Sequence, residues 1–307
     1  MRRRRLLAAA AAVAAAVLLA PSGPSAGASP APPPVAPTAP TARAWTTLTT
    51  TVATRDGRRP LLVALPAGWA TRHRGALVVL HGAGSSVAAM QRVSSVDAEG
   101  TRAGLAVVDL VAAGGSTTSW NAGTCCFGAT ARHLDDVGYV AAAVAWLRAR
   151  WGLPASAVTV VGYSNGGMLG YRVVCERPGL VGRLVVVEGA RLVPCPSSSR
   201  RTPVLVVHGD ADRTVPLTGT RWQPWLRVAL PSAATSVAPL AARDGCRGWA
   251  RRVSGAVTAL TGTGCAVPVR FLVVHGLTHR WSRSVPVDET ALAVRFALGL
   301  EPLAAAA

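Results

Sequence analysis

The chain has 307 residues, half of them apolar, which suits one large hydrophobic core and excludes a chain disordered throughout. Its formal net charge is +18, and every basic side chain is Arg, since the sequence contains no Lys. Four of those charges are Arg2 to Arg5 and the others are scattered. With no sustained basic run elsewhere and no nucleic-acid motif, the balance describes a solvated surface and implies no nucleic-acid partner.

The first elements read as export and tether. Arg2 to Arg5 form a charged head, Leu6 to Ala20 an apolar stretch, and Ala26-Gly27-Ala28 a small-residue cleavage site. This is the pattern of a signal peptide over residues 1–28, and it predicts a secreted protein. The apolar stretch is short for a membrane span, and no later segment is long and apolar enough, so no stable membrane anchor is expected. Residues 29–44 are rich in Pro, Ala and Thr and read as an extended linker. A single folded domain is expected over 45–303, with 304–307 as a frayed tail.

Within that domain, 46–53 and 60–65 flank the turn-like Asp56-Gly57 and predict an N-terminal antiparallel hairpin. Short Val/Leu runs follow at 76–80, 105–111, 157–161, 183–187, 204–207 and 269–274. They have the character of strands buried on both faces of a parallel sheet. Val137, Val140, Val144, Leu147 and Trp151 recur on one helical face, with Asp135 or Asp136 as N-cap. Residues 288–298 predict a closing helix ended by Gly299. Strands alternating with helices give an α/β class with a mostly parallel central sheet and helices on both faces.

The chemistry centres on Gly162-Tyr163-Ser164-Asn165-Gly166, a G-x-S-x-G at the exit of a buried strand and the entry to a helix. A sharp strand-to-helix turn exposes the serine hydroxyl above the sheet edge, and glycines remove side chains that would collide there. A serine alcohol needs a base, and the base needs an orienting acid. His208, His275 and His279 are the His residues after Ser164. His208 and His275 end apolar runs, whereas His279 lies in the loop 276–281, so His279 is the expected base. The acid belongs in the loop after 204–207, where Asp210 and Asp212 both qualify. Oxyanion donors are expected from the amide of Asn165 and from His81-Gly82-Ala83-Gly84, with Ala83 preferred and Gly82 next. His81 is read as a brace for that loop, and Asp135 and Asp136 as structural. Neither a metal nor another cofactor is called for by any ligand pattern.

In this order, Leu80-His81-Gly82, Trp120-Asn121-Ala122-Gly123-Thr124-Cys125-Cys126, the Ser164 motif, His208-Gly209-Asp210-Ala211-Asp212 and His279-Arg280-Trp281 resemble the secreted polyhydroxybutyrate depolymerase-like and feruloyl or acetylxylan esterase-like α/β-hydrolases. The resemblance runs from about Gly75 to Trp281. It implies an α/β-hydrolase fold, the triad Ser164, Asp212 and His279, and no cofactor. It also implies a substrate-site role for Trp281, with Trp120 facing the same edge. It fits a Cys246–Cys265 disulfide, with Cys125, Cys126, Cys175 and Cys195 giving two more whose connectivity the sequence leaves open; a bond from Cys175 to Cys125 or Cys126 would tie the nucleophile helix to the loop of Trp120. The expected activity is hydrolysis of a carboxylic ester, polymeric substrates included, by a monomer. A secreted peptidase of the same fold and a catalytically idle binding protein are the competing readings. Gly276-Leu277-Thr278 and Asp109-Leu110-Val111 depart from the family pattern beside the cleft, which leaves the ester undetermined.

Overall fold

The computed structural model describes residues 45–300 apart from Ala70, Ser116 and Ser199. The expected signal peptide, linker and tail lie outside the described residues. The chain opens on a hairpin of β1 (Trp45–Thr54) and β2 (Gly57–Pro66), followed by β3 (Ala76–Leu80), α1 (Val87–Ser94), α2 (Val96–Arg102) and β4 (Ala106–Leu110). A loop carrying the short α3 (Phe127–Ala131) leads to α4 (Asp136–Trp151), β5 (Val158–Tyr163), α5 (Asn165–Glu176), β6 (Arg183–Val187) and β7 (Val204–Gly209). A small hairpin, β8 (Thr220–Gln223) and β9 (Val228–Leu230), precedes α6 (Ala233–Arg243). Then come β10 (Gly248–Ser254), β11 (Val257–Thr263), β12 (Val269–Val274), the two-residue β13 (Arg283–Ser284) and β14 (Val287–Asp288), and α7 (Glu289–Ala297).

One ten-stranded sheet runs in the order β1-β2-β4-β3-β5-β6-β7-β12-β11-β10. Its six central strands, β4 to β12, are mutually parallel, and an antiparallel pair closes each side. The centre is parallel because helices cover both faces, so strands such as β3 and β7 have every side chain buried and read as unbroken Val/Leu runs. Alternate residues serve opposite cores. Val78 and Leu80 join the core that includes residues of α4, α5 and α6. Leu77 and Val79 join the one with residues of α1, α2 and α7. The helix boundaries have local causes: the Asp135 side chain accepts from Gly138 N–H at 2.8 Å to start α4, and Asp288 accepts from Ala291 N–H at 2.9 Å to start α7.

The hairpin of β10 and β11 is the part of the sheet that periodicity does not reveal. Gly248–Ser254 is an edge strand with five consecutive exposed residues, Arg251 and Arg252 among them, so it carries no apolar alternation. Charged side chains on an edge discourage pairing with another chain. Cys246 and Cys265 are bonded, as expected, at the open end of this hairpin beside the pair Gly248 and Thr263.

The other two disulfides fix the connectivity that the sequence leaves open, and neither joins Cys175 to Cys125 or Cys126. Cys175 pairs with Cys195, and Cys125 with its neighbour Cys126. The segment after β6 returns across the C-terminal half of α5 and brings Cys195 to Cys175. The adjacent cysteines bond to each other, and Cys126 Sγ meets α5 only by accepting the Asn165 side-chain N–H at 3.3 Å. Replacing Cys246 and Cys265 together by Ser is expected to cost about 3 kcal/mol, since the bond closes a loop of 19 residues. A denaturant titration under non-reducing conditions measures this, and an unchanged midpoint would contradict it.

Candidate active site

Ser164 sits between β5 and α5 at φ 54° and ψ −121°, a region that L side chains rarely enter. Two glycines permit the turn. A Cβ on Gly162 would strike the Gly166 carbonyl, and one on Gly166 would strike the Leu80 carbonyl. The Ser164 N–H is held by the Val187 carbonyl of β6 at 2.8 Å. The strain is therefore absorbed by the buried central strands β5 and β6 and by the first turn of a buried helix.

Two loops at the same sheet edge complete the constellation. His279 places Nε2 2.9 Å from Ser164 Oγ and Nδ1 2.7 Å from Asp212 Oδ2. The other Asp212 oxygen accepts the N–H groups of Thr214 and Val215, each at 2.8 Å. Burial alone would push the Asp212 carboxyl up. Hydrogen bonds with His279 and Glu188, the charge of His279 and the Val215 amide outweigh it and hold Asp212 below the usual carboxylate range. A buried acceptor bound to Nδ1 leaves Nε2 facing the serine hydroxyl, the arrangement in which imidazole takes a proton from an alcohol.

Asp210 is not part of this chain of hydrogen bonds. It accepts from the Gly276 N–H at 2.8 Å and pairs with His275 Nδ1 at 2.7 Å. The His275 hydrogen bond, with the Gly276 amide next, lowers its pKa. Asp210 and His275 thus form a second acid–imidazole pair without a serine. His208 is fully buried, and its Nε2–H donates to the Val215 carbonyl at 2.7 Å, so it braces the Asp212 loop.

Gly82 packs against the nucleophile: a Cβ there would lie 3.3 Å from Ser164 Cβ. The N–H groups of Ala83 and Asn165 make no hydrogen bond among the described residues, and both belong to segments that adjoin Ser164. The amides of Ala83 and Asn165 thus lack a protein acceptor beside the nucleophile, the condition that an oxyanion donor must meet. His81 braces this loop, with Nδ1–H donating to the Gly82 carbonyl at 2.9 Å and Nε2 accepting from Ala112 N–H at 3.4 Å. Burial lowers its pKa, which suits that neutral form.

The tryptophan expectations need correction. Trp120 is completely buried and cannot line a substrate site. Its indole N–H donates to the His81 carbonyl at 2.7 Å, and its own N–H donates to the Asn165 side chain at 2.7 Å. It therefore links the loop before Ala83 to the residue after Ser164. Trp281 is 7% exposed, donates to Thr290 Oγ1 at 2.9 Å and meets Tyr163 edge-on. It packs beneath the site because its ring N–H needs a partner inside the core. Asp136 is structural as expected: it is buried, bonded to Arg59 at 2.6 Å and to the Asn121 N–H at 2.6 Å. Burial raises its carboxyl and the Arg59 charge opposes that rise.

Three residues at the site escaped sequence reasoning. Tyr163 stacks on the His279 ring with centroids 5.3 Å apart. Its place in the motif was visible, but the stacking depends on a loop more than a hundred residues away. Glu188, directly after β6, is fully buried beside Asp212. An acid directly after the apolar run Leu184 to Val187 was the available signal. Glu289 supports the His279 loop by accepting the Ser282 N–H at 2.7 Å, and burial pushes its carboxyl up to about 8. Among the described residues, Glu188, Asp212 and His279 form a cluster compact enough for a cation, yet both ring nitrogens of His279 are already engaged.

An open groove of about 670 Å³ begins beside the oxyanion loop, lined by Thr117, Thr124, Phe127, Trp225, Leu226 and Arg227 among others. Trp225, on the turn between β8 and β9, is 47% exposed and meets Phe127 edge-on at 5.2 Å. A Cβ on Gly84 would lie 3.9 Å from the Trp225 ring and 3.8 Å from the Thr117 methyl.

No family model matches the chain. NocK of Nocardia uniformis subsp. tsuyamanensis, described as an esterase, is 32% identical over 164 residues, 52% of this chain and 45% of NocK. Acyl-protein thioesterase 1 of Neurospora crassa is 33% identical over 72 residues, 21% of this chain and 29% of the relative. The chain thus spans less than half the length of these curated relatives. Among solved structures, the acetyl xylan esterase of Aspergillus awamori superposes with a TM-score of 0.57 at 14% identity, covering 78% of this chain and 95% of that one. A feruloyl esterase module from Clostridium thermocellum, solved with sinapinate, gives 0.54 at 14% identity, covering 86% and 91%. This chain has the α/β-hydrolase fold.

The two acid–imidazole pairs separate by mutation. Asp212→Asn is expected to lower kcat toward ester substrates by about 10³- to 10⁴-fold, because the imidazole loses its orienting acceptor. Asp210→Asn is expected to change kcat by about twofold or less. Steady-state kinetics on both variants decides, and equal losses would remove Asp212 from its place.

Proposed function

We propose that the protein is a secreted serine esterase that cleaves carboxylic esters through an acyl-enzyme. The observation that carries this reading is the continuous hydrogen-bonded series Ser164, His279 and Asp212 at the carboxyl edge of the sheet. In the proposed mechanism Ser164 Oγ attacks the ester carbonyl while His279 Nε2 accepts its proton. Asp212 stabilises the imidazolium, and the amides of Ala83 and Asn165 bind the oxyanion. His279 then protonates the departing alkoxide, and water enters by the reverse sequence to release the acid.

The ester we propose is one carried on a polymer, either a hydroxyalkanoate polyester or a feruloyl or acetyl group on polysaccharide. The resemblance of the motifs supports this class, as do the esterases whose folds superpose. The groove beside Gly84 favours a ring-bearing substrate, because Trp225 and Phe127 offer flat apolar faces and Thr117, Thr124 and Arg227 offer polar groups around them. Secretion is supported by the export pattern at residues 1–28 and by three disulfides. No helix among the described residues is long and apolar enough to cross a membrane.

A fluorophosphonate probe is expected to label the wild type and to fail on Ser164→Ala, and equal labelling would refute the nucleophile. A panel of p-nitrophenyl acetate, methyl ferulate, acetylated xylan, polyhydroxybutyrate film and peptides then sorts the substrate. Activity on peptides alone would defeat the esterase reading. Trp225→Ala is expected to raise KM for methyl ferulate by about three- to tenfold while leaving p-nitrophenyl acetate almost unchanged.

A further inference from the structure

β6 leads into Glu188, a fully buried carboxyl that the mechanism above leaves without a task. The strand order β5-β6-β7 sets it between the strand that delivers Ser164 and the strand that leads to Asp212. Its main chain is fixed on the β7 side, with the Glu188 N–H donating to the Val207 carbonyl at 3.0 Å. A φ of 53° at this residue bends the chain out of β6 at the level of the site.

The two carboxyl oxygens have different surroundings. Oε1 accepts the Gly209 N–H at 3.0 Å. Oε2 meets no hydrogen donor among the described residues. The nearest nitrogen, His208 Nε2 at 3.5 Å, sends its hydrogen to the Val215 carbonyl. Burial lowers the pKa of His208, and a neutral imidazole has only one N–H to give. What Glu188 does face is Asp212, whose carboxyl lies beside its own in the buried cluster with His279. Acceptor atoms of Glu188, Asp212 and His279 lie within 4.8 Å of one another.

Two carboxyl groups buried this close together, with no donor facing Glu188 Oε2, do not both stay charged, so one of them holds a proton. Asp212 already accepts from Thr214, Val215 and His279, so the proton resides on Glu188. The other titratable groups around Glu188 are Tyr163 from β5, His208 from β7, His279 from its loop and Glu289 from α7. None makes a cationic pair with it apart from the buried His208 contact, and Asp212 and Glu289 add negative charge. Burial foremost, followed by the hydrogen bond and charge of Asp212, pushes the Glu188 carboxyl up to about 12.

We infer that Glu188 is a positioning residue of the Ser164–His279–Asp212 series, a protonated carboxyl whose O–H donates to Asp212. It secures the acid against His279 and limits the buried carboxyl pair to one negative charge. This rests on the esterase reading of the site, and the test keeps the two apart.

The experiment is the pH profile of kcat/KM on a p-nitrophenyl ester for wild type, Glu188→Gln and Glu188→Leu, with fluorophosphonate labelling of each. Gln is neutral and keeps an N–H donor. It is expected to hold kcat within about threefold and the acid limb within about 0.3 pH unit. Leu removes the donor, concentrates charge on Asp212 and stabilises the imidazolium. It is expected to raise the acid limb by about one unit and lower kcat about tenfold. Infrared difference spectra provide a readout independent of turnover: a carboxylic C=O band of the wild type disappears in Glu188→Gln. If Glu188 is instead an anion, Gln removes a negative charge near His279, and the acid limb falls by about a unit with no carboxylic band lost. That result overturns the inference, as does a folded Glu188→Leu with a wild-type profile. A Leu variant that fails to fold leaves the Gln profile and the infrared band to decide. Wild-type protein that neither labels nor turns over esters would sink the esterase reading instead.

Discussion

Everything at the site depends on one backbone turn. Ser164 occupies a left-handed φ where a strand becomes a helix, and such a residue costs of order 1–3 kcal/mol unless its surroundings over-determine it. Here they do. The Ser164 N–H is tied to β6, its carbonyl accepts from Met168 inside α5, and Gly162 and Gly166 let main chains meet where any side chain would collide. The strain points the hydroxyl out of the sheet edge and leaves the Asn165 amide at the start of a helix, where the helix field favours negative charge.

That turn explains the surrounding burial. Gly166 lies against the Leu80 carbonyl, so β3 and the loop after it must stay registered with α5. Trp120 enforces the registration by bonding to the His81 carbonyl and to Asn165 together. Arg59 and Asp136 anchor the same loop from behind, through the Asn121 N–H and through the Arg59 guanidinium over the Tyr139 ring. An ion pair this buried gains little net stability over apolar packing, and losing one partner would strand a charge. Its value here is geometric, since it holds a polar loop at a defined place in an apolar core.

On the other side of Ser164 the sheet edge gathers carboxyl groups. Glu188, Asp212 and Glu289 are all buried, and their environments drive them apart: hydrogen bonds keep Asp212 low, whereas burial pushes Glu188 and Glu289 up. A single anion facing His279 is what an imidazole base requires, and neutral neighbours can hold that anion without competing for the proton. The external Asp210–His275 pair lies beside this cluster in sequence and uses the same chemistry, yet its solvent exposure and lack of a serine leave it with no place in the series.

The sequence alone determined much of this. Val/Leu-rich runs announced a doubly covered parallel sheet, because strands buried on both faces show no alternation of apolar and polar residues. The Gly-Tyr-Ser-Asn-Gly turn announced Ser164, because only glycines tolerate that close approach. His279 followed from its place in a loop rather than a strand. Asp212 could not be separated from Asp210 by spacing, since two residues along one loop differ only in which way the folded chain turns them. The tertiary structure also decided the partner of Cys175, the burial of Trp120 and Trp281, and the meeting of Glu188 with Asp212. Each is a contact between segments far apart in the chain, or a choice of direction by a side chain. Local pattern carries no information about either, because both are fixed by how the strands and the loops beyond them pack around Ser164.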